Sequence, residues 1–194
     1  MILRRKTKII KIGSVSIGGN NPVAIQSMAK TKTSDIENTV RQIKELESAG
    51  CEIVRLAVKD SHDAKALRMI KRRVNAPIAA DIHFDWRLAI EAIDNGVDKI
   101  RLNPGNIYKQ EQIREIARAA RLNCIPIRVG VNSGSLKSPQ STVHSPQPPA
   151  DKMVKSALDY IRILEKLKLS GSYSLPKLPL EYKNPVLSSS AWSS

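Results

Sequence analysis

Seven polar residues carry the chemistry this chain can do: Arg55, Asp81, His83, Arg101, Asn103, Arg128 and Asn132. Each falls within or just past the C-terminal half of an apolar run, in EIVRLAV, IAADI, DKIRL and IPIRVGV; Gln26, near the end of VAIQSM, continues the series. Buried parallel strands are apolar almost throughout. Polar residues recurring at the same end of successive strands therefore mark a site at one end of a sheet or barrel. Three arginines so placed are costly near a core unless something anionic meets them. A phosphate or diphosphate suits them, because guanidinium forks bind such oxygens two at a time. The alternative is that one or two of them pair with Asp81, Asp98 or another carboxylate. Asp81 and His83 are two apart and on a continuous strand share a face. From there they could position or protonate a substrate oxygen, although a His near an Asp is more often a structural hydrogen bond.

Two turn sequences follow these strands, NPGN at 103–106 and NSGS at 132–135. They are turn chemistry first, and they also offer amide donors to an anion. The chain has no P-loop and no GxGxxG, and no Cys/His spacing suggests zinc. Cys51 and Cys124 open apolar strand-like runs and read as small buried side chains. A disulfide framework is not expected, and a reducing, cytoplasmic setting is. His62 and His144 read as surface residues.

The elements that must position these groups are legible as alternating strands and helices. A small hairpin is predicted over 7–18, where apolar and polar residues alternate around a Gly-Ser turn. Strands follow at Val23–Met28, Glu52–Val58, Ile78–Ile82, Asp98–Leu102 and Ile125–Val131. Between them lie helical patterns behind Ser34, which reads as an N-cap with Glu37 at N3, and at Asp60–Val74, Asp85–Asn95 and Lys109–Leu122. Another covers Asp151–Lys168. Five βα-type units at roughly 25-residue spacing predict a parallel sheet with right-handed crossovers. The fold class is therefore α/β, a partial TIM-type (β/α) barrel whose strand ends converge on one mouth. Residues 137–150 form a Ser/Pro-rich loop, and 169–194 show neither helical nor strand periodicity, which predicts an irregular tail.

Bulk composition narrows the function classes. At 41% hydrophobic and 26% charged the chain is globular in kind. No stretch reaches the ~20 apolar residues of a membrane span. A net charge of +14 calls for an anionic partner: nucleic acid, a membrane surface or a phosphorylated small molecule. Aromatic residues make up only 4% of the chain, which leaves few platforms for stacking bases. The basic run at Arg4, Arg5, Lys6, Lys8 and Lys11 reads as a solvated arm.

QSM, EIVRLAV, ADIHFDWRLA, DKIRLNPGNI and PIRVGVNSGSL resemble, in order and spacing, the strand-end motifs of the GcpE family, the 4-hydroxy-3-methylbut-2-enyl diphosphate synthases. The likeness runs from about Arg5 to Ser135 and resumes more weakly at Lys152–Lys166. It implies an oxidoreductase of non-mevalonate isoprenoid biosynthesis. The family converts 2-C-methyl-D-erythritol 2,4-cyclodiphosphate to the linear hydroxymethylbutenyl diphosphate. A [4Fe-4S] cluster, fed by ferredoxin or flavodoxin, delivers the electrons. The barrel binds the diphosphate, a separate C-terminal domain holds the cluster, and members are homodimers. Carried over by motif, Arg55, Arg101 and Arg128 would grip the diphosphate. Asn103 and Asn132 would hydrogen-bond its oxygens, and Asp81 and His83 would border the carbon skeleton.

The departures from the family pattern set further expectations. Strands six to eight and the cluster domain do not appear, and two cysteines cannot supply the usual cluster ligation. The chain is thus expected to hold a partial barrel over 1–168 and an out-of-frame tail over 169–194, as a truncated copy inactive by itself. Two alternatives stand beside this: a non-catalytic, poorly folded remnant, and a basic nucleic-acid-binding protein.

Overall fold

The computed structural model describes residues 7–132 and 149–167. The tail at 169–194, His144, most of the Ser/Pro-rich loop and the first residues of the basic arm lie outside the described residues. Elements follow in the order β1 (Ile10–Ile12), β2 (Val15–Ile17), β3 (Gln26–Met28), α1 (Ile36–Ser48), β4 (Ile53–Val58), α2 (Ser61–Lys71), β5 (Ile78–Ile82), α3 (Arg87–Asp94), β6 (Lys99–Leu102), α4 (Gln110–Leu122), β7 (Ile127–Val129) and α5 (Pro149–Lys166).

The five strands β3 to β7 form one parallel sheet in sequence order, as the alternating pattern predicts. Its two faces differ in chemistry because side chains alternate along a strand. Val54, Leu56, Val58, Ile78, Ile82 and Ile100 are fully buried and belong to the main core, together with the apolar stripes of the helices. The other face carries the charged residues.

The hairpin β1–β2 closes the N-terminal end of that second face. Ile12, wholly buried, packs on Ile53 and Ala79, flanked by Ile10, Val15 and Ile17. Its turn at Gly13 rests against Pro77 and Asp98, which precede β5 and β6. Asp98 is fixed there by Lys71 Nζ and by the Ile78 N–H, which donates to its carboxylate.

Two local expectations are corrected. Helix α1 is capped by Asp35, whose side chain accepts from the Asn38 N–H, not by Ser34. The reason is tertiary: the Ser34 N–H donates to the buried Asp63 carboxylate at 2.9 Å, so the helix starts one residue later. Cys51 is buried as expected, but Cys124 is exposed. Helix α4 runs to Leu122, which leaves Cys124 just past the C-cap at φ +54°.

Candidate anion-binding site

Strand register sorts the polar residues into two tiers on the face away from the helices. In the lower tier, Met28, Arg55, Ala79 and Lys99 pair in turn across β3 to β6. In the upper tier, Ala57, Asp81, Arg101 and Arg128 pair in turn across β4 to β7. Arg55, Arg101, Arg128 and Asp81 are thus brought together as their strand positions predict.

Asp81 is the pivot. It is 3% exposed. Arg101 Nη1 donates to its Oδ1 at 2.8 Å, and Arg55 Nε lies 3.4 Å from its Oδ2. The arginine–carboxylate pairing held open above is therefore realised for two of the three arginines. With both oxygens engaged, Asp81 is built as a clamp for guanidinium groups. The structure does not join it to His83, which lies half-exposed with its ring edge-on to Phe84 at 5.9 Å.

Arg101 is held further by the Gly130 carbonyl at 3.1 Å and Asn132 Oδ1 at 3.3 Å. A Cβ on Gly130 would fall 2.4 Å from Arg101 Nε, so the guanidinium occupies the space that glycine leaves. Arg55 Nη2 also donates to Met28 Sδ at 2.9 Å, a weak acceptor that a stronger one can displace. The Arg128 side chain makes no hydrogen bond or ion pair among the described residues. Burial first, then Arg55 and Arg101, hold its pKa below the usual guanidinium range.

Asn103 is 3% exposed and its Oδ1 accepts the Gly105 N–H at 3.0 Å, so it first shapes its own turn. Asn106 Nδ2 donates to the His83 carbonyl at 2.5 Å and ties the loops after β5 and β6 together. The loops after β3 and β4 are tied likewise, by Thr33 Oγ1 donating to the Ala57 carbonyl at 2.6 Å and by Asp63 accepting from Ser34 and Lys59. Between these loops opens a cleft of about 660 Å³ whose lining includes Lys30, Lys32, Lys59 and His83. The C-terminal end of the sheet is thus bordered by loops braced against one another.

Sequence reasoning missed Lys99. It lies two residues before Arg101 and so shares its face. Its Nζ donates to Gln26 Oε1 at 2.7 Å, across the sheet to β3. Burial, then Arg128 and Arg55, push its pKa down to about 8. The signal was present in DKIRL, where the lysine reads as a strand boundary. Counting it, the face holds four cations, Arg55, Lys99, Arg101 and Arg128, against one carboxylate, Asp81. Such a surplus binds an anion with several acceptor oxygens.

The described residues hold no group of three or more His, Cys, Asp or Glu side chains able to bind a metal ion. Cys51 and Cys124 precede β4 and β7, at the end of the sheet opposite the cations, with two strands between them. At roughly 4.8 Å per strand they are too far apart to share a cluster.

Comparison with known proteins finds relatives over most of the chain. A family model described as the GcpE TIM-barrel domain matches residues 7–175. The curated 4-hydroxy-3-methylbut-2-en-1-yl diphosphate synthase (flavodoxin) of Anoxybacillus flavithermus is 53% identical over 167 residues, covering 86% of this chain and 46% of that protein. Its counterpart in Geobacillus thermodenitrificans is 52% identical, covering 86% and 44%. The chain thus spans a little under half the length of these relatives. Among solved structures, 7,8-dihydropteroate synthase from Vibrio fischeri superposes with a TM-score of 0.59 at 11% identity, covering 86% of this chain and 65% of its own. A DAHP synthase from Thermotoga maritima gives 0.59 at 9% identity, covering 84% and 43%. These two likenesses concern the fold alone.

Proposed function

The chain belongs to the GcpE family, and from that premise we propose that it carries the diphosphate-recognition half of a 4-hydroxy-3-methylbut-2-enyl diphosphate synthase. The observation that carries this reading is the cation surplus on one face: three guanidinium groups and an ammonium group around a single carboxylate. The proposed substrate is 2-C-methyl-D-erythritol 2,4-cyclodiphosphate. Asp81 holds Arg55 and Arg101 in place before the anion arrives, so little side-chain freedom is lost on binding. Arg128, whose side chain has no partner among the described residues, supplies a further fork from β7. Asn132 is positioned through Arg101. Asn103 shapes the turn at the mouth, and His83 stands on the rim of the cleft, where the carbon skeleton would lie.

In the family an iron–sulfur cluster supplies the electrons for the reductive ring opening. The residues described here do not fit such a cluster, since the whole chain has two cysteines and cluster binding draws on four ligands. No step through it is assigned to this chain. A second copy of the chain is a proposed partner, and flavodoxin, named with the relatives, would serve turnover only through a protein that carries the cluster.

Titration calorimetry of the cyclic diphosphate with the full chain tests the reading. Binding is expected at low ionic strength and should weaken as salt is added, because charge screening strengthens. Arg101→Met should cost roughly 10- to 100-fold in affinity, the range for a charge-assisted hydrogen bond. Absence of binding at low salt sinks the proposal. A second reading, a non-catalytic remnant, draws on the exposure of Val23 and Ile25 just before the edge strand β3. A broad, non-cooperative melt of the purified chain would favour it.

A further inference from the structure

Lys99 is only 8% exposed, yet among the described residues no carboxylate pairs with it. Among the described residues its ammonium group donates only to the neutral Gln26. An ammonium group in that position costs free energy unless some anion compensates it. The charged groups sharing its face are Arg55 on β4, Asp81 on β5, Arg101 on β6 and Arg128 on β7, and both oxygens of Asp81 are already engaged. From β3 it faces Gln26, and from the hairpin below Ile12, Ile10, Val15 and Ile17 pack at the foot of this face. Gln26 accepts one of the three ammonium protons. Two donors remain, below the upper tier of arginines.

We propose that Lys99 is a further binding residue of this site, its ammonium group meeting the diphosphate from the floor of the charged face beneath Arg101. This rests on the reading of the site as a diphosphate pocket. The consequence is a proton taken up on binding. With its pKa near 8 in the free protein, Lys99 is about half protonated at pH 8, and a bound anion draws that pKa back toward the ordinary lysine value of about 10.4. Each phosphorus of the cyclic diphosphate carries one strongly acidic oxygen, so the ligand does not itself titrate near neutral pH.

The experiment is calorimetry of the full chain with the cyclic diphosphate and, separately, inorganic pyrophosphate, in paired buffers of different ionisation enthalpy. At pH 8 wild type should take up roughly half a proton per cyclic diphosphate bound, falling toward zero at pH 6. Lys99→Met should lose about tenfold in affinity and lose the uptake. Lys99→Arg should recover affinity but not uptake, because a guanidinium stays charged. Lys99→Met removes an uncompensated buried charge, so it should melt no lower than wild type. Wild-type affinity and wild-type uptake in Lys99→Met overturn the proposal. If Arg128→Met then still weakens binding, the diphosphate reading survives without it. Lys99-dependent uptake with pyrophosphate alone keeps the proposal and overturns the substrate. Binding of neither anion by wild type overturns both.

Discussion

Asp81 concentrates the energetics of the site on one carboxylate. It neutralises one of the four cations and orients two of them, so its removal leaves those guanidinium groups without a counter-charge. Asp81→Asn should lower stability by about 2–3 kcal/mol, somewhat below the cost of breaking a fully buried pair, because Arg55 reaches solvent. Urea denaturation checks this, and adding pyrophosphate should restore part of the loss. Lys99 imposes a separate pH dependence. Its folded-state pKa lies near 8, below the unfolded value of about 10.4. The folded chain therefore binds fewer protons than the unfolded chain between those values, and stability from this residue rises with pH across that window. Below pH 8 the cost of the buried charge is fully present. Wild type should thus gain stability relative to Lys99→Met as pH increases from 8 to 10. The strand-end arginines and asparagines were legible in sequence because each breaks an apolar run. Lys99 was not, because a polar residue at the start of a run reads as a boundary. Nor was the sharing of Asp81 by two arginines, since that depends on register across three strands.

Among the elements, the helix ends show how one local rule was followed three times with different residues. Helices α1, α3 and α4 close with the same pair of backbone bonds, from Gly50 and Cys51, Gly96 and Val97, and Cys124 and Ile125 back into the last turn. This is the Schellman arrangement, and its first position takes left-handed backbone. Glycine fills it at φ +88° and +84° in α1 and α3, whereas α4 uses Cys124 at +54°. Cys124→Gly should therefore stabilise the chain by up to about 1 kcal/mol, read as an increased denaturation midpoint with no change in slope. A glycine there would have announced the helix end from sequence. The cysteine hid it and suggested a buried strand residue instead. The opposite case is Asp35, where loop anchoring through Asp63 overrode a good capping box at Ser34. The alternation of helices and strands was legible because each helix has an apolar stripe and each strand an apolar run. Their ends shift by one to a few residues wherever a tertiary hydrogen bond competes with the local signal.

For the whole molecule, the site is spread over β4 to β7, and Arg128 stands on an edge strand of the described sheet. An anion bridging those strands adds to the links that already join them, which are backbone pairing, the helices behind and the Asp81 ion pairs to Arg55 and Arg101. Ligand at a hundred times its dissociation constant should stabilise the fold by about 2.7 kcal/mol. The thermal midpoint should therefore rise with the cyclic diphosphate, and rise less in Arg128→Met. An equal rise in both would show that β7 takes no part in binding. The net charge of +14 signalled an anionic partner, but only the fold shows that four cations meet one carboxylate among the described residues of one sheet face. The hairpin at the foot of that face has a consequence for traffic. Ile12 covers that foot by packing on Ile53 and Ala79, so among the described residues no approach to the cations leads from beneath, and an anion must come to them from the loop end or the open side of the sheet.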